Sequence, residues 1–228
     1  MPQKHFTPAA FKFMRDLEQN NDREWFNANK DRYLADLRDP ALEFIKDFGP
    51  HLMKISPAFR ADPRANGGSM FRIYRDIRFS KDKRPYKDHA GLYFRHVKGK
   101  DVHTPGFYLH LQPGKSFVGL GLWLPDNPTL KLIREALVAE PGLWKNAVGQ
   151  RRFKEHFSVR GESLKRPPKG YNPDHPLIDV LKLKDFTGYA PLTQKQVTSA
   201  GFVDEYAKLC RAGSSLVKFL CEAIGQPF

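Results

Sequence analysis

Apolar positions recur at helical spacing through the first part of the chain: Phe11, Met14 and Leu17, then Trp25, Phe26, Tyr33 and Leu37, then Phe44, Ile45, Phe48 and Leu52. Each run opens on a start signal, Thr7-Pro8, Asp22 after the Asn20-Asn21 break, and Asp39-Pro40. A Thr or Asp side chain accepts from the first free amides, and proline at the first helical position loses no needed donor. Three helices are predicted. From Ser56 to Ser69 the residues Pro57, Pro63, Gly67 and Gly68 mark a loop. Beyond it the hydrophobic period falls towards two, which predicts strands over 70–79, 90–97, 106–112 and 116–124.

Pro113-Gly114 suits a tight turn between the last two strands. With Gln112 opposite Lys115, Leu109 faces Val118 and Phe107 faces Leu120 on one surface. On the other, Tyr108 faces Gly119 and His110 faces Phe117, so Gly119 and Gly121 leave room there. Glycine inside a strand marks close approach by a ligand or another backbone, a bulge, or a large neighbouring side chain.

Further helices are predicted from Asn127-Pro128 (Leu130, Ile133, Leu137) and from Pro141 through Trp144 and Val148. Asp174 is the expected cap of a short helix holding Leu177, Val180 and Leu181. Ser199 is the expected start of a C-terminal helix with Phe202, Tyr206, Leu209, Val217 and Leu220, in which Gly213 is a candidate break. Residues 158–173 are basic and rich in Pro and Gly, and read as an extended or looped segment. Helices, then strands, then helices predict an α+β fold, with a central, mostly antiparallel sheet of about four or more strands flanked by N-terminal and C-terminal helices. At 228 residues, without a flexible linker, the chain reads as one domain over 1–228.

No apolar run approaches the roughly 18 to 20 residues that cross a bilayer, and no secretory leader opens the chain, so no membrane partner and a cytoplasmic location are expected. Cys210 and Cys221 fall on the same predicted helix, where eleven positions separate them by about 16 Å. That is beyond disulfide reach, and they read as buried thiols. The net charge of +13 is clustered: residues 72–88 hold seven cations against three carboxylates, and 145–169 hold eight against two. Clustering favours a positive face that attracts phosphate or carboxylate over two separate solvated surfaces.

On an extended 70–79 segment Arg72, Tyr74, Asp76 and Arg78 share one face, and Phe71, Ile73, Ile77 and Phe79 the other. Arg75 breaks the alternation and requires a bulge or a buried carboxylate partner. Lys81, Lys83 and Lys87 project around the turn that follows. Guanidinium groups grip phosphate bidentately, and Tyr74 and Tyr86 are placed to stack on a base or an arginine plane. The candidate ligand-binding residues are therefore Arg72, Tyr74, Arg75, Arg78, Lys83, Tyr86 and Lys87, joined by Lys169 of the second basic stretch beside Lys165 and Arg166. The plainer alternative is an edge strand protected by Lys, Arg and Pro, with Asp76 and Asp82 pairing locally.

His110 and Asp76 are the acid–base candidates, with a structural hydrogen-bonded role as the other reading of His110. Asp174-His175 reads as a cap before a catalytic pair. The chain has no Walker or dinucleotide glycine loop, no His-Glu-x-x-His, no Cys-x-x-Cys and no serine elbow, so neither a metal nor a cofactor is expected. These features point to a cationic, aromatic-lined groove for a phosphate-bearing, nucleotide-like ligand, with catalysis left open. The alternatives are a non-catalytic nucleic-acid-binding module and an interaction domain for an acidic protein.

Phe71-Arg-Ile-Tyr-Arg-Asp-Ile-Arg-Phe-Ser-Lys-Asp-Lys-Arg-Pro-Tyr-Lys87 and Asn20-Asn21-Asp-Arg-Glu-Trp-Phe26 resemble the conserved-hypothetical family called domain of unknown function 2461. Gly106-Phe-Tyr-Leu-His-Leu111, Gly119-Leu-Gly-Leu-Trp123 and Pro168-Lys-Gly-Tyr-Asn-Pro-Asp-His-Pro176 carry the same resemblance. It extends over nearly the whole chain and implies one compact domain; it implies no reaction, ligand or catalytic residue.

Overall fold

The computed structural model describes residues 3–99 and 103–228. Helix α1 (Pro8–Gln19) starts on Thr7, whose hydroxyl accepts from the Ala9 amide, and α2 (Arg23–Ala28) starts on Asp22, which accepts from the Trp25 amide at 2.8 Å. The expected third start at Asp39-Pro40 is not a boundary. Helix α3 (Lys30–Arg32) runs through a π-helical turn (Tyr33–Arg38) directly into α4 (Asp39–Ile55). Pro40 has no amide hydrogen to continue the usual ladder, and the widened turn before it bonds Asp39 N–H to Leu34 five residues back.

Three of the four predicted strands form, as β1 (Ala90–Arg95), β2 (Gly106–Leu111) and β3 (Phe117–Leu122). The β2–β3 register is the expected one: Phe107 opposite Leu120, Tyr108 opposite Gly119, Leu109 opposite Val118 and His110 opposite Phe117. Residues 70–79 are not a strand. They make only single bridges, Met70 to Leu92 and Tyr74 to Tyr86. Their polar groups are satisfied locally, because Asp76 accepts from the Arg78 amide and Asp82 from the Arg84 amide. Arg75 N–H reaches Pro85 and Lys87 N–H reaches Ile73, which closes an irregular hairpin.

After β3 come α5 (Asn127–Ala139), α6 (Pro141–Gly149) and α7 (Arg151–His156). The cap of α5 is Asp126, not Asn127. Then follow β4 (Ser158–Arg160), α8 (Ile178–Leu181), β5 (Phe186–Pro191), α9 (Gln194–Val197) and α10 (Phe202–Ala223). Two expected caps fail: Asp174 does not cap α8, and α10 opens at Gly201, with φ at 80°, instead of at Ser199. Gly213 does not break α10; a Cβ there would stand 2.0 Å from Leu120 Cδ2, so its role is close approach of the helix to β3.

The sheet is antiparallel throughout in the order β1-β2-β3-β5-β4. One face carries Leu92, Phe94, Phe107, Leu109, Val118, Leu120 and Phe186, all buried against helices. Phe94 meets Phe48 of α4 at 4.6 Å and Tyr206 of α10 at 5.9 Å between ring centroids. Each such side chain contributes about 1.5–3 kcal/mol on leaving water, and this layer holds the sheet in place. Cys210 and Cys221 are buried free thiols, as expected; burial pushes both up, Cys221 to about 12, which keeps them unreactive. Among the described residues no helix is long and apolar enough to cross a membrane.

Candidate functional site

Strand alternation turns a second set of side chains away from the helices: Tyr93 from β1, Tyr108 and His110 from β2, Phe117 from β3, Tyr189 from β5 and Arg160 from β4. With Phe71, His89, Trp123 and Thr187 they enclose a cavity of about 450 Å³. Glycines make the space. A Cβ on Gly106 would lie 2.6 Å from the Tyr93 ring, and one on Gly91 would lie 2.6 Å from the Tyr108 hydroxyl. At Gly119 a Cβ would meet only ordinary contacts, Phe117 and Tyr108 at 3.4 Å, so this residue is an open floor. Gly121 has a different role: its φ of 110° belongs to glycine.

The rings form a row across the sheet. His89 and His110 lie 4.5 Å apart between centroids, His110 stacks on Phe117 at 4.7 Å, and Phe117 lies 4.9 Å from Tyr189. The Arg160 guanidinium closes the row, 3.5 Å from the Tyr189 centroid. No carboxylate pairs with Arg160 among the described residues, and it is the one Arg or Lys lining the cavity there.

At the opposite end the polar groups are linked. The Tyr108 hydroxyl lies 2.9 Å from His110 Nδ1, and His110 Nε2 lies 3.1 Å from Gln112 Oε1. Because the Gln112 oxygen only accepts, Nε2 carries the proton and Nδ1 accepts from Tyr108. Burial lowers His110 to about 4, with the hydrogen bond to Gln112 opposing and the neighbouring His89 adding to the fall. Burial also raises the Tyr108 hydroxyl. His89 in turn contacts Asp88, whose Oδ1 is 3.0 Å from Nδ1. Burial is the largest single influence and works to raise Asp88, but the hydrogen bond and charge of His89, the Asp88 amide and the more distant Arg84 together outweigh it and leave the carboxyl below its ordinary range.

Of the candidate acid–base and ligand-binding residues named from the sequence, His110 lines the cavity and the others do not, while Tyr108, Phe117, Gly119 and Gly121, named there as the open side of the hairpin, line it as well. Asp76 is held by Arg78 at 2.7 Å, and Arg75 bonds Asp82 at 2.8 Å, which is the second of the two expectations for it; the first, a strand bulge, falls with the strand. Lys83 Nζ donates to the Ile77 carbonyl, and Lys87 Nζ to the Arg72 carbonyl while lying over the Phe71 ring. Burial, then the nearby Arg72, lowers Lys87. Arg72, Tyr74 and Lys169 are exposed. Tyr86 corrects an expectation: it is buried and stacked on Phe26 at 4.1 Å, so it is a core residue with no free face for a ligand.

The two basic stretches nevertheless approach the same cavity. Phe71 and His89, which flank the first, stand beside edge strand β1, and Arg160 of the second lies on edge strand β4. Sequence reading missed Phe71, His89, Tyr93, Trp123, Arg160 and Tyr189 as site residues. The available signal was the open side of the Tyr108–Gly119 pair, extended one strand in each direction.

A family model described as "Conserved hypothetical protein (DUF2461)" matches residues 9–219. The chain belongs to this family. The matched span takes in every strand and all of the cavity lining. Neither the curated proteins nor the solved structures contain a match.

Proposed function

We propose that the cavity on the open face of the sheet binds a small phosphate-bearing, nucleotide-like ligand. Its planar ring lies among Tyr93, Tyr108, Phe117 and Tyr189, and its phosphate meets Arg160. The observation that carries this reading is the stacking of Arg160 on Tyr189 without a carboxylate partner. A guanidinium held by its face keeps its N–H edge for a bidentate grip on phosphate. A cation also argues against an aromatic cage for a quaternary ammonium, which Arg160 would repel.

The volume is in the range of small-molecule sites, and the apolar lining with one cationic group is their usual composition. This favours a small ligand over an extended nucleic-acid track, which needs an open groove. The basic stretches beside both edge strands raise the local concentration of anions. Buried unpaired thiols suit a reducing, cytoplasmic setting. Titration with adenosine monophosphate, followed by Trp123 fluorescence and by amide shifts, tests the reading. Shifts confined to β2, β3 and β5 support it; shifts confined to the 72–88 hairpin would refute it.

A further inference from the structure

We propose that His89 faces the bound ligand, oriented by Asp88, and accepts at Nε2 a hydrogen bond from a donor group of the ligand held beside it. This rests on reading the cavity as a ligand site. The Asp88 carboxylate stands 3.0 Å from Nδ1 of His89, so Nδ1 carries the proton and Nε2 carries the lone pair. Nε2 has no hydrogen-bond partner among the described residues, and it is not among the buried polar atoms that lack one, so it is open on a side chain that lines the cavity. His110, 4.5 Å away, is excluded from the role because both of its nitrogens are engaged, with Tyr108 and with Gln112.

With Nδ1 engaged by Asp88, Nε2 is left as an acceptor, so the ligand group that meets it is an O–H or N–H donor. His89 directly precedes one edge strand and Arg160 lies on the other. The ligand class is therefore a phosphate-bearing molecule with a hydrogen-bond donor, a hydroxyl or an amino group, at the end remote from its phosphate.

The test is ¹⁵N NMR of the imidazoles in the full chain at about pH 8, where an ordinary histidine is neutral, with diethyl pyrocarbonate labelling mapped by mass spectrometry. His89 is expected as the Nδ1–H tautomer and His110 as the Nε2–H tautomer. Carbethoxylation should reach His89 well before His110, and Asp88→Asn should erase the His89 tautomer preference and slow its labelling several-fold, leaving His51 unchanged. Adenosine monophosphate should protect His89. An Nε2–H tautomer at His89, or labelling of His110 at the same rate, overturns the assignment even when the nucleotide binds. The expected tautomers without nucleotide protection overturn the cavity reading instead.

Discussion

The Tyr108 hydroxyl and His110 Nδ1 lie 2.9 Å apart on adjacent outward positions of one strand, and this pairing fixes His110 as a neutral imidazole. Burial lowers His110 to about 4, so between the ordinary histidine value and that point the unfolded chain binds a proton that the folded chain refuses. The stability His110 contributes is complete above about pH 6.5 and is lost as the pH falls towards about 4. Urea unfolding at about pH 7.5 and about pH 5 should show a lower midpoint in acid, and His110→Gln should flatten that difference. An unchanged slope in the variant would count against a neutral, buried His110.

Gly119 separates the cavity from the fold. Its missing Cβ faces only Phe117 and Tyr108 at ordinary contact distance. Gly119→Ala should change stability by less than about 1 kcal/mol, within the spread of strand substitutions. Gly119→Val, which pushes two more methyl groups into the space, should abolish adenosine monophosphate binding with the circular dichroism spectrum retained. Undiminished binding by the valine variant would move the ligand elsewhere.

At Gly213 the opposite holds. Replacing a mid-helix glycine by alanine ordinarily gains about 0.5–1 kcal/mol, but here the new methyl meets Leu120 at 2.0 Å. Gly213→Ala should instead lose about 1–3 kcal/mol, the usual scale of overpacking. In a Leu120→Ala background the loss should shrink or reverse, and the double-mutant cycle reads this coupling in denaturant midpoints.

Tyr74 and Tyr86 bridge to each other but differ in environment, 52% exposed against 4%. Thermal unfolding should separate them. Tyr86→Ala should cost about 3–5 kcal/mol, as for large aromatics removed from a core, and Tyr74→Ala less than about 1 kcal/mol.

The hairpin β2–β3 was legible in sequence because a Pro-Gly turn and strict alternation leave one register that buries Phe107, Leu109, Val118 and Leu120 together. Residues 70–79 alternate equally well and yet form no strand, because Asp-x-Arg pairs at 76–78 and 82–84 offer the backbone nearer partners than a sheet edge does. Strand β5 was invisible for the converse reason: Phe186-Thr-Gly-Tyr-Ala-Pro191 contains glycine and proline, and its neighbours β3 and β4 decide its conformation. Without β5 the far wall of the site, Tyr189 and its stacked Arg160, had no place. The two basic stretches were legible as clustered charge; in the first, Arg75, Arg78 and Arg84 pair with Asp76 and Asp82, which the count alone does not show.

The most direct test of the central claim is isothermal calorimetry of adenosine monophosphate and of adenosine with wild type and Arg160→Ala. Wild type should bind the nucleotide and discriminate against the nucleoside. The variant should lose at least about tenfold in nucleotide affinity, as expected from one charge-assisted contact of about 1.5–3 kcal/mol, and should no longer tell the two apart. Equal binding of nucleotide and nucleoside by wild type, or unchanged nucleotide affinity in Arg160→Ala, would contradict the account.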